Sequence, residues 1–336
     1  MTAGPDDPRR GPRPWSQAWS RRDGFWRSGP GLAGPAAHFR TATHVGPGLG
    51  DALLELLREV DARLGRPATL DVVDVGAGGG ELLAALVARA ETTLRERLRP
   101  LGVDLLPRPG GLDPSIGWVQ GEAPSAVPVV RGLLVAHEWL DELPLDVVAI
   151  HEGEPRTVLV DDDGTESLGP PPSDAVRAWC ARWWPTGEGD RAECGLARDR
   201  AWAECVARLE AGTALAIDYG HVREDREAGR YAAGTLSGYR DGVLVAPRPD
   251  GSTNLTAHVA VDAVAAALDG FAGTAYPPVR QRDALRALGI SGSLPDAVLA
   301  ARDPGAYAEG LERASQASEL LDPAGLGAFW WLRHDV

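Results

Sequence analysis

Leu70-Asp71-Val72-Val73-Asp74-Val75-Gly76-Ala77-Gly78-Gly79-Gly80-Glu81 decides the fold. Its first half is short, apolar and β-branched, so it reads as a strand. Glycines at 76, 78, 79 and 80 then permit a tight turn and close backbone approach to a ligand. Good helix formers run from Glu81 to Arg97 without proline, which predicts one long helix. On the N-terminal side, residues 50–64 predict another helix, with Asp51 as cap and Leu53, Leu54, Leu57 and Val60 on one stripe. On the C-terminal side, strands are expected at Leu101–Leu105, Ile116–Val119 and Gly132–Ala136. They lead respectively to Asp104, to Gln120, and to the acidic run His137-Glu138-Trp139-Leu140-Asp141-Glu142. Strands alternating with helical connections predict an α/β fold with a parallel sheet covered on both faces.

The loop chemistry narrows the ligand. A dinucleotide fingerprint G-x-G-x-x-G counted from Gly76 needs glycine at 81, and Glu81 stands there. A carboxylate at a helix start opposes a pyrophosphate. An acidic, glycine-rich loop suits a ligand carrying an amine and no phosphate, as in S-adenosylmethionine, whose sulfur is also positive. Asp74, Gly76, Gly78 and Gly80 are the candidate loop contacts. Asp104, 24 residues after Gly80, can accept bonds from two ribose hydroxyls. Gln120 is a candidate for the adenine edge. A nicotinamide-dependent oxidoreductase is the weaker alternative.

Beyond Pro144 the pattern changes. Residues 147–164 predict a β-hairpin turning around Gly153-Glu154-Pro155, and 166–173 a proline-rich connection. Helices are expected at 174–184, 196–211, 258–269 and 281–289, with further pieces in 293–312. Ala214–Gly220 predicts a strand running into a loop, and Gly327–Arg333 a terminal strand. Residues 222–257 show little periodicity. The expected organisation is a disordered tail over 1–14, then an aromatic segment and helix over 15–64. A cofactor-binding half follows over 65–146, a hairpin and helical insertion over 147–211, and a C-terminal half over 212–336 with a substrate-side insertion at 222–312.

Composition sets outer limits. The 336 residues contain 34 basic side chains, all arginine, against 48 acidic ones, for a net charge of -14. No lysine means no Schiff base and no lysine-ended phosphate loop. The charge opposes general nucleic-acid binding. No secretory h-region or membrane-length apolar stretch is evident. The three cysteines, Cys180, Cys194 and Cys205, are scattered, which fits a reduced cytoplasmic setting, and no metal site is expected.

Eight segments sharpen the assignment: HFRTATHVGPGLGDAL (38–53), DVVDVGAGGGELLAAL (71–86), HEWLDELPLDVV (137–148), AIDYG (216–220), GTLSGYR (234–240), NLTAHVAVDAV (254–264), RQRDALRALGI (280–290) and GLGAFWWL (325–332). Together they resemble the MidA family of class I S-adenosylmethionine-dependent methyltransferases, which includes a mitochondrial complex I assembly factor. The resemblance implies a Rossmann-like, seven-stranded sheet with its last strand antiparallel, plus family-specific insertions. It also implies a methyl acceptor, in the mitochondrial relative a protein arginine. The chain departs from the family pattern at His137, where asparagine is usual, and at Asn254, where an acid is usual.

Methyl transfer needs an aligned nucleophile and excluded water. A carboxylate can hold a guanidinium bidentately and accept its proton, which makes Glu138 the first catalytic candidate, Asp141 the second and His258 a third. Substrate-side candidates are His38, Arg40, His137, Asp218 and Tyr219. The partner is a protein or small-molecule acceptor, with neither nucleic acid nor membrane expected, and a homodimer is compatible. A scaffold that has lost catalysis and a small-molecule methyltransferase are the alternatives.

Overall fold

The computed structural model describes residues 11–20, 24–27, 31 and 42–336. The chain divides into two compact units. Among the described residues, one comprises 42–138, 204–219 and 269–336. The other comprises the described residues before 32 together with 139–203 and 220–268.

The first unit holds the large sheet. Its strand order is Gly117–Gln120, Leu98–Asp104, Leu70–Val75, Val130–His137, Leu209–Asp218, Trp330–Asp335, then two short pieces, Thr274–Ala275 and Val279–Arg280. The first five run parallel and Trp330–Asp335 runs antiparallel to Leu209–Asp218. This is the expected Rossmann-like sheet with an antiparallel last strand. The seventh position, at the edge, is broken into two pieces that each pair with Trp330–Asp335, and the residue pattern marked no strand there. Each piece is two residues long, too short to carry a period.

Leu70–Val75 pairs along both edges and is buried along nearly its whole length, with Leu70 and Val72 packed into an apolar core shared with helix residues. Helix Gly48–Arg63 packs Leu49, Leu53, Leu56, Leu57 and Val60 into the same apolar core. Asp51 is not its cap: the helix begins earlier, after Pro47, and the Asp51 carboxylate pairs with Arg89. The helix after the loop is also shorter than expected. It spans Glu81–Arg89, and a separate turn covers Thr92–Arg95. The chain must reverse by Arg97, whose carbonyl already accepts from Leu70 N–H, and Leu98 opens the next strand. Likewise helix Leu196–Val206 stops early and the following strand starts at Leu209, not Ala214. There Gly212 lies opposite Gly132 at positive φ, and a Cβ on Gly212 would strike the Gly132 carbonyl.

The second unit is built of smaller pieces. The hairpin Asp146–His151/Glu154–Val160 turns at Glu152-Gly153, one residue before the expected position, with both residues at positive φ. Arg13–Pro14, Glu166–Leu168 and Arg191–Cys194 extend its sheet. The connection 166–173 therefore contains a strand. Residues 222–257 hold helix Arg223–Glu227 and a three-stranded sheet, Val243–Val245, Ser237–Arg240 and Asn254–Thr256. The helix expected from 258 begins only at Val261, because Val259–Ala260 pairs with Gly220–His221. His258 accordingly sits between two short strands and not in a helical start.

Among the described residues no helix is long and apolar enough to cross a membrane. No cluster of three potential metal ligands occurs among them either.

Candidate active site

The glycine loop leaves the carboxyl end of the central strand. Gly76, Gly78 and Gly80 all take positive φ, of 72°, 57° and 78°. Gly76 N–H donates to the Val103 carbonyl at 2.9 Å and Gly80 N–H to the Ala77 carbonyl at 2.8 Å. A Cβ on Gly80 would press on Leu112. The loop is thus drawn tight against the neighbouring strand and enters helix Glu81–Arg89 in a left-handed turn that glycine adopts without strain.

Asp104 organises this loop from the next strand. Its Oδ2 accepts from Gly78 N–H at 2.8 Å and its Oδ1 from Leu106 N–H at 2.7 Å. Burial raises its pKa, and those two amides work in the opposite direction. Asp74 lies beneath, 3% exposed, with its pKa raised well above the ordinary range by burial and by the nearby charges of Asp104 and Glu81. Three carboxylates therefore converge on the loop. A cationic ligand relieves their repulsion and a phosphate worsens it. Gln120 is exposed at the end of its strand, its Nε2 donating to the Leu105 carbonyl at 3.2 Å. Trp118, which the sequence analysis did not single out, fills the space over Gly102, and its Nε1 donates to Leu106 O at 3.0 Å. Its signal was Gly102 itself, a strand glycine in register with a tryptophan.

The fourth strand ends at His137-Glu138. Glu138 adopts φ 52°, unusual for a side-chain-bearing residue, and its N–H donates to the Ile217 carbonyl at 2.9 Å. His137 Nε2 lies 3.3 Å from Glu138 Oε1. Burial lowers the His137 pKa to about 4, so the ring is neutral at physiological pH. Asp218 ends the fifth strand, 1% exposed, and its Oδ1 accepts from Tyr219 N–H at 2.9 Å. The structure thus brings His137, Glu138, Asp218 and Tyr219 to the carboxyl edge of the sheet, the edge that also carries the glycine loop.

Asp141 and His258 belong to the second unit, where one unanticipated residue ties their segments together. Arg198 is 1% exposed. Its guanidinium donates to the carbonyls of Asp141 (2.6 Å), Leu143 (3.0 Å), Ala257 (2.8 Å) and His258 (3.3 Å). Asp141 O also accepts from Ala257 N–H. Buried Glu193 accepts from Thr235 and Leu236 amides, and Thr235 Oγ1 accepts from His258 N–H at 2.9 Å. Asn254 Nδ2 donates to Glu142 Oε1 at 2.7 Å, a bond that an acid at 254 could make only when protonated. The motifs DEL, GTLS and LTAH are therefore one hydrogen-bonded assembly. The sequence signal for Arg198 was its place on the apolar stripe with Trp202 and Cys205. His38 and Arg40 lie outside the described residues.

A family model described as "Putative S-adenosyl-L-methionine-dependent methyltransferase" matches residues 48–276, roughly two thirds of the chain. The chain belongs to this family. It is an S-adenosylmethionine-dependent methyltransferase, and the acidic glycine loop suits a cofactor bearing an ammonium and a sulfonium. Its fold is similar to that of a COG1565 superfamily member from Burkholderia thailandensis bound to S-adenosyl-homocysteine. That similarity has a TM-score of 0.78 and 24% identity, over 97% of this chain and 88% of that one. A second structure, of an uncharacterized COG1565 superfamily protein from the same organism, gives 0.75 and 25% over the same shares. No curated protein matches the sequence significantly.

Proposed function

We propose that this methyltransferase belongs to the MidA group and methylates the guanidinium of a protein arginine, with Glu138 as the catalytic carboxylate. The observation that carries the reading is the setting of Glu138. It is a half-buried carboxylate on a left-handed residue at the sheet's carboxyl edge, beside a neutral histidine.

S-adenosylmethionine, when bound, supplies an electrophilic methyl group. Gly76, Gly78 and Gly80 give its amino-acid end backbone approach, and Asp74 offers a carboxyl whose ionised form, disfavoured by burial, the ammonium would stabilise. Asp104 spends one bond per oxygen on the loop amides, which leaves acceptor capacity for two ribose hydroxyls. Gln120 is assigned to the adenine side. Glu138 then orients the guanidinium by paired hydrogen bonds and takes up the proton released on transfer. His137 stays uncharged beside it and so does not weaken its basicity. Asp218 and Tyr219 are assigned to the acceptor side. In the other unit, Arg198 holds the backbones of Asp141 and His258.

The net charge of -14 supports a basic protein segment as acceptor in preference to nucleic acid. A cytoplasmic homodimer is the setting we propose. The test is incubation with methyl-labelled cofactor and arginine-containing proteins, followed by hydrolysis and amino-acid analysis. Methylarginine formation, reduced about 100-fold or more in kcat by Glu138→Gln, is expected. Label on another residue type would overturn the arginine assignment, and bound cofactor with no transfer to any acceptor would favour a scaffold.

A further inference from the structure

We propose that Trp118 is a positioning residue that sets the cofactor site's selectivity for an intact ribose, acting through the turn Asp104-Leu105-Leu106. The inference rests on the reading of Asp104 as acceptor for two ribose hydroxyls. All of its parts lie in the sheet unit, on two paired strands and the loops around them.

Asp104 closes strand Leu98–Asp104, and the chain turns away at once. A carboxylate on such a turn can recognise a pair of hydroxyls only if the turn itself is held, because hydrogen bonds weaken steeply with misplacement. The Asp104 carbonyl accepts from Gly121 N–H at 2.8 Å. Leu106 is pinned at both of its backbone polar groups. Its N–H donates to Asp104 Oδ1 at 2.7 Å, and its carbonyl accepts from Trp118 Nε1 at 3.0 Å. Gln120 follows Trp118 by two residues and so shares its face of strand Gly117–Gln120. Its Nε2 donates to the Leu105 carbonyl at 3.2 Å. One strand face thus fixes two consecutive carbonyls of the neighbouring turn.

Trp118 is itself anchored. It is half-buried and in register with Gly102. A Cβ on Gly102 would stand 2.5 Å from Trp118 Cζ3 and 3.1 Å from Ala77 Cβ. The missing side chain therefore makes room for the indole, which lies beside the glycine loop. That loop supplies Gly78 N–H to Asp104 Oδ2 at 2.8 Å. The two carboxylate oxygens are set by two amides, one in the loop beside the ring and one on the residue whose carbonyl the ring holds. Packing over Gly102 needs only bulk, which phenylalanine also provides. The indole N–H adds a donor aimed at the turn, and that donor is what phenylalanine lacks.

The test measures calorimetric affinities for S-adenosylhomocysteine and its 2′-deoxy and 3′-deoxy counterparts. Wild type should prefer the intact ribose at least tenfold over each. Trp118→Phe keeps a ring over Gly102 and removes the donor; it should cut that preference by about 3- to 10-fold. In an Asp104→Ala background the preference should already be small, and Trp118→Phe should not change it further. A general loosening of the site would lower all three affinities together and leave their ratios intact, so unchanged ratios in Trp118→Phe would overturn this inference while the reading of Asp104 stands. A ratio that Trp118→Phe still alters without Asp104 would also overturn it. Equal affinity of wild type for all three ligands would overturn the reading of Asp104 and this inference together.

Discussion

The glycine loop and the Arg198 assembly bury charge of opposite sign and treat it differently. Around the loop, Asp74, Asp104 and Glu81 repel one another, and burial raises the pKa of Asp74 and Asp104 instead of pairing them. Around Arg198, each guanidinium nitrogen meets at least one backbone carbonyl. Arg226 in the same unit is similar: it binds both oxygens of Asp262, the Trp183 carbonyl and Nδ1 of His221. The contrast separates two uses of a buried charge. A network that closes on itself serves the fold, whereas a concentration of like charge has its complement in a ligand.

The largest expected effect breaks the closed side. Arg226→Leu takes the guanidinium from Asp262 and the His221 ring, and Arg198→Met takes a donor from each of four carbonyls. Each should cost about 3–5 kcal/mol in urea unfolding. A loss under 1 kcal/mol would show that these networks are not structural. In the sheet unit, Gly212→Ala should cost more than about 1 kcal/mol, because the position needs positive φ and adjoins the Gly132 carbonyl. Retained stability there would mean the two strands separate readily.

A smaller effect sharpens the comparison by pairing two buried carboxylates. Asp199 accepts from Trp179 Nε1 at 2.6 Å, while its Oδ1 has no hydrogen-bond partner, and burial pushes its pKa up to about 7. Between about pH 4 and 7 the folded state then holds a proton that the unfolded chain releases. Stability from this group is present at low pH and lost as pH rises to 7. Asp199→Asn should therefore raise Tm at pH 8, change it little at pH 4, and leave S-adenosylhomocysteine affinity intact. Asp74 is raised in the same direction, so Asp74→Asn should give the same pH trend but weaken the cofactor at least tenfold. Equal cofactor affinity in both variants would erase the distinction between the two charges.

The two units also differed in how far they could be read from sequence. In the sheet unit, Leu70–Val75 was bounded correctly because a doubly buried strand is continuously apolar and the glycines mark its end. Asp104, Glu138 and Asp218 were legible for the same reason, as polar residues terminating apolar runs. The broken edge strand was not, since its two-residue pieces borrow their order from Trp330–Asp335. In the other unit, the sheet within 222–257 lay hidden because glycine turns and side-chain bonds to Glu193 fix it, not hydrophobic alternation. His258 was misplaced into a helix because LTAHVAV is apolar at both periods, and pairing of Val259–Ala260 decided the outcome. Arg198 was not legible as a tie because its carbonyl partners lie 55 to 60 residues away and only the fold brings them together.

The most direct measurement is a calorimetric titration of the protein and its Asp104→Ala variant with S-adenosylhomocysteine, with NADH as control. The account predicts saturable one-to-one binding to wild type, weakened at least tenfold in the variant, and none of NADH. Binding of NADH in place of S-adenosylhomocysteine, or full affinity in the variant, would contradict it.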